Sequence, residues 1–348
     1  MAFDPNAPAG ADSGIFGLPF TEDDASLLLL PVPWEATTSY GGGTSEGPSA
    51  ILEASKQVDL YDLDVEKPYA PGIFLLPEPA DIAAFSAEGK AEAAKIIEAA
   101  GVVEGNAELS VALARVNELS KKVNQLVFEA SAKVLDRGKF LGVVGGDHSV
   151  PLGALAAVAR KEKSFGVLHF DAHSDTRDAY EGFTYSHASI MRNVLEEIPE
   201  VTRLVQVGIR DVCEEEMSYV AAQGERVRCF TDRELSRRRI GGESFASITK
   251  SIVDALPQRV WVSFDIDGLD PRFCPHTGTP VAGGLDLSEA VYVLSEVVRS
   301  GRVLVGFDLN EVAPGPEGDE WDANVGARLL YKMCGFLFAS HGKAKLFP

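Results

Sequence analysis

The sequence predicts an α/β protein in which helices cover both faces of a mostly parallel central sheet. Short runs rich in β-branched residues alternate with longer segments of helical period along most of the chain. Several short runs are apolar on both faces, as in the segment VWVSF at residues 260–264, which is typical of strands covered on both sides. Together these two observations indicate a three-layer α/β/α architecture.

The predicted strands follow the apolar runs in order: residues 26–32, 140–144, 165–170, 204–209, 227–230, 260–266 and 303–309. Predicted helices lie between or after them: residues 107–135, 151–161, 187–197, 243–256, 287–299 and 322–338. No linker rich in Gly, Ser or Pro interrupts this alternation, so residues 26–348 are predicted to form a single domain.

Two segments lie outside the alternation. Residues 1–25 are rich in Pro, Gly and Asp, and we expect an N-terminal extension that runs along the surface or is mobile. Residues 80 to about 105 include an Ala-rich stretch of helical period, which predicts an inserted helix before the long helix that begins near residue 107.

Charge and composition narrow the classes of partner. The 348 residues include 32 Lys and Arg against 52 Asp and Glu, a net charge of −20, which disfavours nucleic acid and anionic membranes as partners. The first basic residue is Lys56, so the N-terminus has no signal-peptide or transit-peptide pattern, and no apolar stretch is long enough to span a membrane. The four cysteines are scattered, which indicates reduced thiols in a cytoplasmic protein.

Polar residues follow four predicted strands, at the sheet edge where parallel α/β proteins bind ligands. Strand residues i and i+2 face the same side, so Asp171 is expected to pair with His173 and Asp265 with Asp267. His148 and Asp175 complete a set of two imidazoles and four carboxylates. Clustered carboxylates repel one another unless cations are bound, and this donor set suits two Mn²⁺ ions, with Ni²⁺ as the alternative.

Three motifs carry a family resemblance. The segments GGDHS at 145–149, DAHSD at 171–175 and SFDIDGLDP at 263–271 resemble the signature motifs of the ureohydrolase superfamily of arginases and agmatinases. Residues 32–51, 277–280 and 311–312 resemble the family's early strand and helix and its later loops, so the resemblance covers the chain from residue 26 onward. The Ala-Ser-Ile that follows His187 is more similar to the agmatinase branch than to arginases.

The resemblance implies an arginase-like catalytic domain that hydrolyses a guanidino compound, with agmatine favoured, to urea and an amine by a hydroxide that bridges two metal ions. It implies that one metal ion is bound by His148, Asp171, Asp175 and Asp265, and the other by Asp171, His173, Asp265 and Asp267. It also implies that His187 carries a proton to the leaving nitrogen and that Glu311 clamps the guanidinium. A homo-oligomer, a trimer or hexamer, is expected on the same ground.

Several alternatives stay open. Arg177 is expected to pair with Asp178 or Glu181; if it instead binds a substrate carboxylate, a guanidino acid such as guanidinobutyrate becomes the substrate. Free guanidine, a deacetylase-like single-zinc enzyme and a non-enzymatic family member are further alternatives. His169 is expected to form hydrogen bonds behind the metal ligands, His276 to lie in an exposed loop, and the arginines at 237–239 to form a solvated face.

Overall fold

The central sheet of the protein, described here from a computed structural model covering residues 3–10, 13–38 and 40–348, has eight strands. They are β1 Leu27–Val32, β3 Ile73–Leu75, β4 Phe140–Gly145, β5 Phe165–Phe170, β6 Val201–Ile209, β7 Val227–Thr231, β8 Arg259–Asp265 and β9 Val303–Asn310. Their spatial order is β3-β1-β4-β9-β8-β5-β6-β7, and every neighbouring pair is parallel. A separate antiparallel pair joins β2 Val65–Glu66 to β10 Lys345–Leu346.

Helices cover both faces of this sheet. They are α1 Gly47–Ser55, α2 Ala80–Glu98, α3 Ala107–Asp136, α4 Leu152–Ala159, α5 Ile190–Glu197, α6 Glu214–Ala222, α7 Asp232–Ile240, α8 Phe245–Asp254, α9 Leu287–Arg299 and α10 Trp321–Ser340. Alternate residues of β1 separate two buried clusters: Leu27 and Leu29 pack with α1 and α7–α10, whereas Leu28 and Leu30 pack with α2–α6. The predicted three-layer fold is therefore confirmed, and its main sheet is wholly parallel.

The sequence pattern missed the shorter and more polar elements. Strand β3 has only three residues, and the helices α6 and α7 are so polar that they show little apolar periodicity. The predicted helix 187–197 begins as a 3₁₀ turn at His187–Ser189 before α5 continues it. The arginines at 237–239 belong to α7, where Arg238 pairs with Glu243 and Arg239 with Glu289, so the predicted solvated face is in large part an ion-paired one.

The N-terminal segment enters the core. Ile15, Phe16 and Leu18 are buried in the cluster that contains α1, and the backbone N–H of Phe16 donates to Ser55 Oγ at 2.9 Å. The expected surface course of this segment is therefore wrong for these residues, because its few apolar side chains complete a core cluster. Within the described part of the chain, no helix is both long and apolar enough to cross a membrane.

Candidate metal centre

Four adjacent strands at the centre of the sheet deliver the candidate ligands. In spatial order they are β4, β9, β8 and β5, and their carboxyl ends lie side by side at one edge. His148 follows β4, Glu311 follows β9, Asp265 ends β8, and Asp171 follows β5. The crossovers of the chain thus bring together residues that are up to 163 positions apart, as in the bond from His148 N–H to Glu311 Oε1.

Three carboxylates surround one nitrogen of His148 and form what we call the inner cluster. His148 Nδ1 lies 2.9 Å from Asp171 Oδ2, 3.2 Å from Asp175 Oδ2 and 3.3 Å from Asp265 Oδ2. The His148 side chain is 1% exposed, and the three aspartates are also buried. These four residues are the set that the family resemblance implies for one metal ion.

A second group, the outer cluster, contains Asp171, His173 and Asp267. His173 Nδ1 lies 3.1 Å from Asp267 Oδ2 and 3.5 Å from Asp171 Oδ1, and the three potential ligand atoms all lie within 4.8 Å of one another. The His173 side chain is 25% exposed and borders a cavity. Asp171 therefore belongs to both clusters, one oxygen facing each histidine.

The local backbone explains how the carboxylates converge. Strand β5 ends at Phe170, and Asp171 Oδ1 accepts the His173 N–H at 2.6 Å in the turn that follows. Asp265 Oδ1 similarly accepts the Asp267 N–H at 2.9 Å, which begins a 3₁₀ turn at Ile266–Gly268. The predicted pairings are present, but short turns after the strands produce them, not strand alternation alone.

Buried polar groups hold the inner cluster from behind. His148 Nε2 lies 2.9 Å from Ser263 Oγ, and that hydroxyl donates to Asp308 Oδ1 at 2.8 Å. His169 Nε2 lies 2.8 Å from Asp171 Oδ2, as expected for a residue that orients a ligand. Ser263 and Asp308 were not among the predicted site residues, although their positions on β8 and β9, two residues before Asp265 and Asn310, are a usable signal.

The electrostatics of the site fit the binding of cations. Burial, together with the charge of Asp171, raises the pKa of Asp175 to about 8 and the pKa of Asp265 well above its usual range. Burial opposes protonation of His148, but the three surrounding aspartates raise its pKa well above the usual value. The protein therefore brings together carboxylates that need positive charge, and carboxylate and imidazole ligands match the preferences of divalent transition metals.

Glu311 supplies a carboxylate atom with no protein partner. Its Oε1 accepts the His148 N–H at 2.9 Å, whereas its buried Oε2 has no hydrogen-bond partner among the described residues. A side chain at Gly278 would place its Cβ 3.3 Å from Oε2, so the glycine leaves that oxygen open. Burial and the charge of Asp265 raise the pKa of Glu311 well above its usual range, so a bound cation would favour its ionised form.

A cavity of about 170 Å³ lies beside the outer cluster, and its lining includes His173, Asp175, Arg177, Tyr180, His187 and Thr279. His187 Nδ1 lies 3.4 Å from Thr37 Oγ1, and burial and the neighbouring His173 lower the pKa of His187 to about 4. This lowered pKa favours the neutral form of the His187 imidazole. The structure brings together all eight site residues predicted from the sequence; their roles as ligands and catalysts remain predictions.

The contacts predicted for two residues, Arg177 and His276, are wrong. Arg177 does not pair with Asp178 or Glu181; its Nε lies 3.6 Å from Glu216 Oε2, and its guanidinium lies 5.0 Å from the centre of the Tyr180 ring. His276 is not a freely exposed loop histidine, because its Nδ1 lies 2.9 Å from the buried Asp322 Oδ1.

Known proteins resemble this chain in sequence and in fold. The model of the arginase family matches residues 25–335. The chain is 31% identical to an N(1)-aminopropylagmatine ureohydrolase of Synechocystis sp., covering 92% of each chain, and 30% identical to an agmatinase of Bacillus subtilis, covering 90% of this chain and 91% of the relative. Its fold is similar to the crystal structure of agmatine ureohydrolase of Thermoplasma volcanium, with a TM-score of 0.67, 21% identity, and coverage of 93% of this chain and 94% of that one.

Proposed function

The chain belongs to the arginase family and is an amidinohydrolase of the ureohydrolase type, and from that premise we propose that it hydrolyses agmatine, or a close relative with a cationic tail, to urea and an amine. The single observation that carries this proposal is the unpartnered Glu311 Oε2 beside two carboxylate–imidazole clusters. That arrangement presents an acceptor for a guanidinium next to a site for divalent cations.

The inner and outer clusters are proposed to hold the two cations. His148, Asp171, Asp175 and Asp265 would bind one ion, and Asp171, Asp265, His173 and Asp267 the other. We propose Mn²⁺, with Ni²⁺ as the alternative, because both accept mixed oxygen and imidazole ligands. When bound, such ions supply hydroxide at neutral pH by lowering the pKa of water, which attack on a resonance-stabilised guanidinium carbon requires.

The chain's own residues orient the substrate and move the proton. Glu311 Oε2 would accept an N–H of the guanidinium beside the inner cluster. His187 lines the cavity, and it would take the proton that the added hydroxyl loses as the urea carbonyl forms and deliver that proton to the leaving nitrogen while the carbon–nitrogen bond breaks. The product amine then leaves with that proton, and the remaining carbon fragment is urea.

The charges around the cavity favour a cationic tail. Arg177 reaches the cavity, but its charge is balanced by the buried Glu216 and its guanidinium stacks near Tyr180. Asp211 also lines the cavity, and over the described ranges its carboxylate has no side-chain hydrogen bond or ion pair. Asp211 is exposed to solvent at the cavity, and an ammonium at the end of the substrate would pair with its carboxylate. The partial exposure of Arg177, 36%, keeps a guanidino acid as the second candidate substrate.

A urea-release screen tests the proposal. The Mn²⁺-loaded protein and the Ni²⁺-loaded protein would be assayed against agmatine, arginine, guanidinobutyrate, guanidinopropionate and guanidine. We expect the highest kcat/KM with agmatine or a longer cationic analogue. A preference for guanidinobutyrate would indicate that Arg177 binds the carboxylate of the substrate tail. A preference for free guanidine would indicate that the protein has no binding site for a substrate tail.

Separate substitutions of Asp211 and Arg177 test which of these residues binds the charged end of the substrate. Asp211→Asn removes one charge at nearly constant shape and is expected to raise KM for agmatine by about tenfold with little change for free guanidine. Arg177→Ala is the matched comparison and is expected to leave the preference for agmatine over guanidinobutyrate intact. A selective rise in KM for guanidinobutyrate in Arg177→Ala would contradict the proposal.

The remaining proposals concern the cellular compartment and the oligomeric state of the enzyme. We propose that it works in the cytoplasm as a homo-oligomer, a trimer or hexamer, as its family resemblance implies. Light scattering of the metal-loaded protein measures the oligomeric state, and elemental analysis after expression in defined medium identifies the metal.

A further inference from the structure

The α2–α3 hairpin, the insertion between β3 and β4, contributes no residue to either cluster, yet it contacts two loops that adjoin His187. The first loop, described at residues 33–38 and 40–46, follows β1 and carries Thr37, which accepts a hydrogen bond from the His187 N–H. The second loop, residues 176–186, follows the Asp175 turn and carries Arg177 and Tyr180, and His187 comes directly after it.

A buried carboxylate organises the first loop. Glu35 is 1% exposed, and its Oε2 accepts the backbone N–H of Gly43 at 2.9 Å, the backbone N–H of Ser45 at 3.1 Å and the Ser45 hydroxyl at 3.2 Å. Its other oxygen, Oε1, pairs with Lys90 Nζ of α2. Because a buried carboxylate without its counter-ion is costly, Lys90 is the contact that permits Glu35 to hold the loop.

Helix α2 makes two more contacts with this loop. Ser86 Oγ accepts the backbone N–H of Glu35 at 2.9 Å. A Cβ at Gly89 would lie 3.0 Å from the Trp34 ring and 3.1 Å from Ala36 Cβ, so the glycine permits close packing of the helix on the loop. One turn of α2 therefore fixes the loop by hydrogen bond, packing and charge.

The second loop is held by a separate small core. Phe183 is fully buried among Ala93 and Ile96 of α2 and Ala112 and Val116 of α3. At the same place, Asn117 of α3 accepts the Thr184 N–H at 3.0 Å and donates to the Gly182 carbonyl at 3.3 Å. The hairpin therefore holds this loop in two ways. The Phe183 ring of the loop packs between α2 and α3, and the Asn117 side-chain amide forms two hydrogen bonds with the loop backbone.

The two loops meet at the candidate proton carrier. The His187 N–H donates to Thr37 Oγ1 at 3.4 Å, so the residue that follows the second loop is held by the first. Resting on the proposed function, we infer that the α2–α3 hairpin is the positioning element for His187 and the substrate cavity, with Lys90 and Phe183 as its positioning residues. These residues act through the loops and touch no reacting group.

The first test measures the loops themselves, so it does not depend on activity. Lys90→Met would be compared with Lys95→Met, which removes a lysine of the same helix whose ion pair, over the ranges that the structure describes, is with Glu92. In Lys90→Met, amide exchange at Gly43 and Ser45 should become at least about tenfold faster, while Lys95→Met should match the wild type. Phe183→Leu, which shrinks the anchor without removing it, should speed exchange at Thr184. Unchanged protection in both Lys90→Met and Phe183→Leu would overturn the inference, whatever the substrate proves to be.

The second test separates positioning from general stability. Metal content should stay at the wild-type level in Lys90→Met, because the ligands follow the strands, while kcat/KM should fall by about ten- to a hundredfold with a rise in KM. Lys90→Arg, which keeps the charge, should restore most of the loss. Equal losses in Lys90→Met and Lys95→Met, or loss of metal together with activity, would instead indicate a merely structural role. If the wild type hydrolyses no guanidino compound, the proposed function fails and the exchange experiment still decides the inference.

Discussion

The inner and outer clusters use similar residues but differ in their surroundings. The inner cluster is fully buried and held from behind by Ser263 and His169, whereas His173 of the outer cluster is 25% exposed at the cavity. Both clusters share Asp171. From this contrast we propose that the inner cluster anchors a metal ion and that the outer cluster meets the substrate. Substitutions that affect the two clusters separately can test this proposal.

Substitution of Asp171, which belongs to both clusters, is expected to have the largest effect on metal content and activity. Asp171→Ala removes a carboxylate from both, so we expect both ions to be lost and activity to fall by about three decades or more, since bound metal contributes several kcal/mol to transition-state stabilisation. Elemental analysis and urea release measure the two losses. Retention of one full equivalent of metal would show that one of the two ions does not depend on Asp171.

Asp267→Ala breaks only the outer cluster. We expect one ion to be lost or weakened while the inner ion stays, with activity reduced by about two decades or more and the fold retained. Circular dichroism, metal content and turnover at saturating Mn²⁺ check this expectation. Unchanged turnover would mean that the outer cluster has no part in catalysis.

The smallest effect concerns pH and tests whether the clusters need cations. Without metal, burial and the charge of Asp171 raise the pKa of Asp175 to about 8, and the surrounding aspartates raise the pKa values of His148 and His173, so above pH 6.5 these three groups bind more protons in the folded protein than in the unfolded chain. Stability must then fall as the pH rises toward 8, because a group with a raised folded pKa loses its contribution as the pH passes through that value. We expect the melting temperature of the metal-free protein to drop between pH 6.5 and pH 8.

Added Mn²⁺ should cancel that trend. Metal binding displaces the protons, so affinity should strengthen over the same pH range and the loaded protein should keep or raise its melting temperature. Thermal unfolding at several pH values, with chelator and with excess Mn²⁺, measures both curves. Parallel curves for the two forms would contradict an interaction between these groups and a cation.

Much of this arrangement could be predicted from the chain because its signals are local. Strand β5 and helix α9 were predicted to the residue, since the apolar pattern that identifies each lies within the element itself. The candidate ligands follow apolar strands and are identifiable for the same reason. The partners of Arg177 and His276 were not predictable, because Glu216 and Asp322 reach them from helices 39 and 46 positions farther along the chain.

The role inferred for the α2–α3 hairpin could not be predicted from the sequence either. Its helices were visible as a periodic excursion, but the role inferred for it depends on Glu35 and Phe183, which read in the sequence as an ordinary acid and an ordinary apolar residue. Only the tertiary packing shows that one lies buried against Lys90 and the other between α2 and α3. The features that could not be predicted from the sequence are therefore mainly packing contacts between residues far apart in the chain, and not motifs.

The position of β9 has a consequence for how the protein is made. Strands β1, β3 and β4 form one half of the sheet and β5 to β8 the other, and β9 alone joins them, between β4 and β8. His148 is synthesised with the first half and the four aspartates of the clusters with the second. A nascent chain therefore carries every candidate metal ligand, though not Glu311, before it has the strand that joins the two halves. Assembly of the centre must await the last strand of the main sheet, and such non-local closure is slow. A ribosome-bound chain that ends before β9 would therefore expose two unpaired strand edges, β4 and β8, for as long as translation lasts.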